Sequence, residues 1–203
     1  MSAKKTSDFQ IRTEQQAQID EAITTLETRL QYCRQNQRKQ LTLIDSVSLG
    51  LYIEIDKLAK KAPAEPVTDL ALKQINDVIR ETKQLIDSDQ YIQRLNEFVA
   101  AGDNPELRDA LIVLRQIRQG LERFSKQLDS LITFLNQRLR DAKCIQFAIG
   151  LYLAGTIPNG DVLREYGVDV PSGWLKSTYP HSFNFNRLDM TNIKEYFAEA
   201  TLP

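Results

Sequence analysis

The amino-acid sequence predicts a mainly α-helical, elongated fold: a three-helix antiparallel coiled-coil bundle with a small, irregular, aromatic-rich C-terminal cap. Three observations carry that expectation. Between residues 105 and 154, apolar side chains recur every three or four positions, through Leu107, Leu111, Leu114, Ile117, Leu121, Phe124, Leu128, Leu131, Leu135, Leu139, Ala142, Ile145, Ile149 and Tyr152. That spacing lines one face of an α-helix. A second stripe of the same kind runs from Ile19 to Leu58, and proline or glycine punctuates the chain between the stripes. About 50 residues at ~1.5 Å each make a rod of roughly 75 Å, which is not stable alone in water and must bury its stripe.

Residues 1–12 read as a flexible lead-in. Thr13, with Gln16 three residues on, has the form of a capping box. The first helix, 13–61, follows on Ile19, Ile23, Leu26, Leu30, Cys33, Gln37, Leu41, Ile44, Val47, Leu51, Ile55 and Leu58. Gln35, Asn36, Gln37 and Gln40 interrupt its stripe. They form either a polar layer that fixes register or side chains turned to water where the stripe drifts. Lys60 and Lys61 suit the negative end of the helix dipole, and Pro63 and Pro66 force a break. Thr68 or Asp69 caps a second helix, 68–101, which Asp87, Ser88 and Asp89 either kink or restart. Gly102 and Pro105 then mark a stop and a start before the third helix, 105–154. Short connections imply antiparallel neighbours, so the first and third helices are expected to run parallel.

An internal echo fits that layout. Asn36, Gln37 and Arg38 recur as Asn136, Gln137 and Arg138, and Gly50, Leu51 and Tyr52 recur as Gly150, Leu151 and Tyr152, both offset by 100 residues. Degenerate duplication and coincidence explain it equally well. A duplication would put Gly50 and Gly150 at matching heights, where helix-interior glycine serves close backbone approach. After residue 155 the composition shifts to turns and aromatics, among them Trp174, Tyr179, Phe183 and Phe185, and this C-terminal segment, 155–203, reads as a cap or arm.

Lys plus Arg total 26 against 27 Asp plus Glu, so no global charge attracts nucleic acid, which is disfavoured as a partner. Cys33 and Cys144 stand 111 residues apart with no Cys/His cluster, the pattern of two buried thiols in a reducing compartment. The polar N-terminus lacks a secretory core, and no apolar run reaches the ~20 residues of a membrane span. The expected location is the cytoplasm.

Chemistry-bearing motifs are scarce. No phosphate-binding glycine loop and no HExxH occurs, and the single histidine, His181, sits in a loop between Pro180 and Ser182. No cofactor and no metal site is expected. Two surfaces stand out instead. Arg29, Arg34, Arg38 and Lys39 on the first helix, with Arg138 and Arg140 on the third, form a candidate basic patch. Trp174, Tyr179, Phe183 and Phe185 are candidate partner-binding anchors. The expected function is that of a non-enzymatic scaffold or adaptor, homodimeric, binding a protein partner through helical faces and the aromatic segment. The alternative is a peripheral BAR-like module on an anionic membrane surface, an analogy of architecture alone.

Overall fold

A computed structural model describes residues 2–98, 105–156 and 165, and the described residues are mainly helical. The elements are α1 (Ser2–Asp45), a π-helical segment (Ser46–Leu51), α2 (Tyr52–Lys61), α3 (Asp69–Leu85), α4 (Gln90–Gln93) and α5 (Leu107–Leu153). Two compact units share them: Met1–Gln31 with Ile132–Pro203, and Tyr32–Leu131. No described helix is long and apolar enough to cross a membrane.

The first helix begins at Ser2 rather than at Thr13, so the expected lead-in is helical and Thr13 is an interior residue. Nothing opposes this, because neither proline nor glycine occurs before Gly50. At the other end the prolines act as expected, and α2 stops at Lys61.

In the unit Tyr32–Leu131, the direction of the helices differs from expectation. Gln37 Nε2 donates to Asp129 Oδ1 at 2.7 Å, and Gln40 Nε2 to the Leu121 carbonyl at 3.2 Å. Farther on, Arg115 Nε donates to the Tyr52 hydroxyl at 3.2 Å, and its guanidinium lies 3.8 Å from Asp56. Rising numbers on one helix meet falling numbers on the other, so the first and last long helices run antiparallel here. The other unit shows the same order: Glu27 pairs with Lys143 at 2.7 Å, Gln146 donates to Asp20 at 2.7 Å, and the Arg12 guanidinium lies over the Tyr152 ring.

The reason lies in the connection. Val67 N–H donates to the Pro105 carbonyl, Leu107 N–H to Glu65 and Arg108 N–H to Pro63, with Pro66 and Glu106 as an antiparallel bridge. The chain therefore enters α5 beside the point where it left α2. Between these points α3 runs out for only 17 residues, and residues 94–98 come back without forming a helix. Two side chains of α3 hold this returning segment: Arg80 Nε lies 3.5 Å from Glu97 Oε2, and Asn76 bonds the backbone of Phe98. Asn76 Nδ2 donates to the Phe98 carbonyl and Phe98 N–H donates to Asn76 Oδ1, both at 2.8 Å.

Burial refines the stripes. On α5, Leu107, Leu114, Leu121, Leu128, Leu135, Ala142 and Ile149 are all buried, one every seven residues. On α1 the same interval holds for Ile19, Leu26, Cys33 and Gln40, and it reaches Val47 at the start of the π segment. Gln40, 1% exposed, thus takes the core position expected for Leu41, which is 51% exposed. At about 100° per residue, Gln40 lies about 20° round the axis from Cys33 and Leu41 about 80°. Phase decides here over hydrophobicity.

Beyond Val47 the interval breaks. The seven-residue repeat would next bury position 54, but Ile55 is buried and Glu54 exposed; likewise Ala59 is buried where Leu58 was expected. The π segment accounts for the one-residue shift. Tyr52 N–H bonds to the Val47 carbonyl five residues back, so the turn absorbs one extra residue and realigns α2 with the core.

Around Leu43, Val47, Leu51, Ile55 and Ala59, the core of this unit gathers Leu72, Ile75, Val78 and Ile79 from α3 and Leu107, Ala110, Leu114, Ile117 and Leu121 from α5. Thr68 caps α3 through its Oγ1, which accepts from Ala71 N–H. Helix α5 ends in a Schellman arrangement: Thr156 N–H reaches the Leu151 carbonyl, Gly155 N–H reaches Tyr152, and Gly155 has φ of 83°.

Among the described residues, no atom lies within 4 Å of where a Cβ would stand at Gly50 or Gly150, so the close approach expected there has no partner among them. Gly50 lies in the π segment of one unit and Gly150 belongs to the other. Gly120 is the crowded glycine. A Cβ there would fall 2.5 Å from Ile92 Cδ1 and 2.9 Å from its Cγ1. Gly120→Leu should therefore destabilise by about 1–3 kcal/mol through overpacking, whereas Gly150→Ala should stabilise by up to about 1 kcal/mol. Chemical denaturation of the two variants checks both signs.

Candidate interaction surfaces

Two grooves open on the unit Tyr32–Leu131. The first, about 410 Å³, lies between α1 and α3 and is lined by Tyr32, Asn36, Lys39, Thr42, Leu43, Glu81, Gln84 and Leu85. The seven-residue repeat that buries Cys33 and Gln40 turns Tyr32 and Lys39, each one residue earlier, out of the core. Tyr32 is 63% exposed as a result. The second groove, about 420 Å³, lies between α4 and α5, with Tyr91, Ile92, Arg94 and Leu95 on one wall and Gln116, Gln119 and Arg123 on the other.

The second groove is firmly built. Asp87, Ser88 and Asp89 restart the helix rather than kink it. Asp89 Oδ1 accepts from Tyr91 N–H at 2.9 Å and from Ile92 N–H at 3.3 Å, while Arg123 Nη2 donates to its Oδ2 at 3.0 Å. Gln93 Nε2 donates to the carbonyls of Lys83 and Ile86, both at 2.9 Å, so α4 also closes the end of α3. Ile92 is buried against Gly120 and anchors the wall to α5.

Burial pushes the Asp89 carboxyl up, but the Arg123 hydrogen bond, the two amide bonds and the Arg123 charge outweigh it and hold the group below its ordinary value of 3.8. A depressed value means that the folded chain binds fewer protons than the unfolded chain. Asp89 therefore contributes stability above about pH 4, and that contribution disappears as pH falls through the lowered value. Asp89→Asn should flatten the loss of melting temperature between neutral and acid pH. Asp89→Ala should cost about 1–2 kcal/mol at neutral pH through the lost cap.

Of the basic residues singled out by sequence, Arg34, Arg38 and Lys39 belong to the unit Tyr32–Leu131, whereas Arg29, Arg138 and Arg140 belong to the other. They are not gathered in one unit. Arg34, Arg38, Lys39 and Arg140 are exposed, Arg29 is half-buried, and the half-buried Arg138 lies over the Phe134 ring, 5.0 Å from its centre. Cys33 and Cys144 are both buried. Trp174, Tyr179, Phe183, Phe185 and His181 lie outside the described residues.

Gln37 and Gln40 form the polar layer that the glutamine run suggested, as both reach across to α5, while Gln35 is exposed. The grooves themselves were missed. In the sequence, only the phase between Tyr32 and Cys33 signals that an aromatic points outward. Among the described residues, no group of three His, Cys, Asp or Glu is placed to hold a metal ion. Compared with protein-family models, curated proteins and solved structures, the chain matches none.

Proposed function

We propose that the protein is a non-enzymatic scaffold or adaptor that binds protein partners through its helical faces. The observation that carries this reading is a tyrosine at each groove, Tyr32 at 63% and Tyr91 at 77% exposure. Tyrosine offers a rigid apolar face with a polar tip, and it is over-represented among the residues that dominate protein interfaces. In this reading the seven-residue repeats make α1 and α5 a coiled-coil pair, which α3 completes as a three-helix bundle in the unit Tyr32–Leu131. The aromatic C-terminal segment, with Trp174, Tyr179, Phe183 and Phe185, is a cap that adds contacts, and the working form is a cytoplasmic homodimer.

A second reading, a BAR-like module on an anionic membrane, draws on Arg34, Arg38 and Lys39, which have no ionic partner among the described residues. Three such cations at about 1 kcal/mol each give less than the ~4 kcal/mol of a millimolar interaction. Protein binding is therefore the stronger reading. Affinity purification from the native host tests it with the full chain and with the variants Tyr32→Ala and Tyr91→Ala, whose exposed rings leave the fold intact. Loss of captured partners at unchanged melting temperature supports the adaptor role. An unchanged partner set, or vesicle pelleting that Arg34→Glu abolishes, speaks against it.

A further inference from the structure

We infer that the groove between α4 and α5 takes an acidic segment of a partner protein, one with carboxylates on either side of an apolar anchor. This rests on the adaptor reading and gives the partner its chemistry. The lining carries two arginines and no acid. Arg94 has no ionic partner among the described residues, and Arg123 commits only Nη2 to Asp89. The remaining guanidinium donors form the planar fork that matches a carboxylate.

In the same lining as the two arginines, Tyr91 and Leu95 offer apolar surface for the anchor, and the side-chain amides of Gln116 and Gln119 both donate and accept, as a peptide backbone requires. Asp89 and Arg123 make a nearly neutral pair, so the net positive charge of the groove comes from Arg94, while the free donors of Arg123 add hydrogen bonds. The volume of about 420 Å³ falls within the ~300–1,000 Å³ usual for ligand sites. Nucleic acid or a lipid surface suits the groove less. Each rewards many phosphate contacts, and two arginines supply few.

The probe is a fluorescein-labelled Glu-Glu-Leu-Phe-Glu-Glu amide, titrated with the full chain by anisotropy, against the same peptide with glutamine for glutamate. Saturable binding is expected, weaker by about tenfold or more for the glutamine peptide and for Arg94→Glu. Arg94→Lys, which keeps the charge but not the fork, should fall between. Arg123→Ala also frees Asp89 and shifts stability, so Arg94 carries the test. Absence of saturable binding, equal affinity for both peptides, or indifference to Arg94→Glu would overturn the assignment, as would binding of anionic vesicles or heparin in place of the peptide. If the peptide fails while Tyr32→Ala still abolishes partner capture, the acidic-segment claim falls and the adaptor reading stands.

Discussion

Deleting Gly50 should leave the protein folded and close to its original stability, whereas deleting Gln35 should cost about 3 kcal/mol or more. A one-residue deletion in a helix rotates everything beyond it by about 100° relative to everything before it. At Gln35, an exposed position, the rotation takes Gln40, Leu43 and Val47 out of phase with Cys33 and the residues before it. Leu43 and Val47 alone are worth about 1.5–3 kcal/mol each when buried. At Gly50 the deletion removes the extra residue that the π segment holds. An ordinary α-turn then places Ile55 seven residues after Val47, the interval already used by α1, with Leu51 and Ala59 three and eleven residues after Val47 on the same face. Equilibrium denaturation of the two deletion variants separates the outcomes. Equal losses would mean that the π segment does not reset the phase.

Asn76→Ala should cost about 2–4 kcal/mol, a large effect for one half-buried polar side chain. Its amide makes two hydrogen bonds at 2.8 Å to the backbone of Phe98, and truncation leaves both a donor and an acceptor without partners, at about 1–3 kcal/mol each. The loss falls on the segment that returns from α4, so residues 90–98 should exchange amide hydrogens faster while the α3 core keeps most of its protection. Asn76→Asp is the sharper variant. A carboxylate still accepts from Phe98 N–H but cannot donate to the carbonyl, so about half of the loss should remain. Equal stability of Asn76→Ala and the parent would show that Phe98 is held by other means.

Much of this molecule is legible in its sequence, and the parts that are not share a cause. Local chemistry is readable: Pro63 and Pro66 end α2, Thr68 caps α3, and the α5 stripe predicts most of the buried face. The extra residue in the π segment is invisible locally, because it appears only when the phase before Val47 is compared with the phase after Leu51. Leu41 and Leu58 look like better core residues than Gln40 and Ala59, and hydropathy alone picks the wrong member of each pair.

Helix direction was misread for a different reason. Three helices joined by short loops imply a parallel first and third, but residues 94–98 return along α3 without forming a helix, and the bonds of Val67, Leu107 and Arg108 set the ends of α2 and α5 side by side. The groove between α4 and α5 depends on pairs such as Asp89 with Arg123 and Ile92 with Gly120. They lie about thirty residues apart, beyond the reach of any periodicity.

The account depends most on the antiparallel course of the first and last long helices, and crosslinking measures that directly. In a background free of Cys33 and Cys144, cysteines are placed at Gln37 with Asp129, at Asp56 with Arg115, and in the swapped pairings Gln37 with Arg115 and Asp56 with Asp129. Positions 115 and 129 are separated by about 21 Å along α5, so a short bismaleimide cannot serve both arrangements. Intramolecular crosslinks at 37 with 129 and at 56 with 115, and none in the swapped pairs, are the predicted result. Crosslinks in the swapped pairs alone would contradict it.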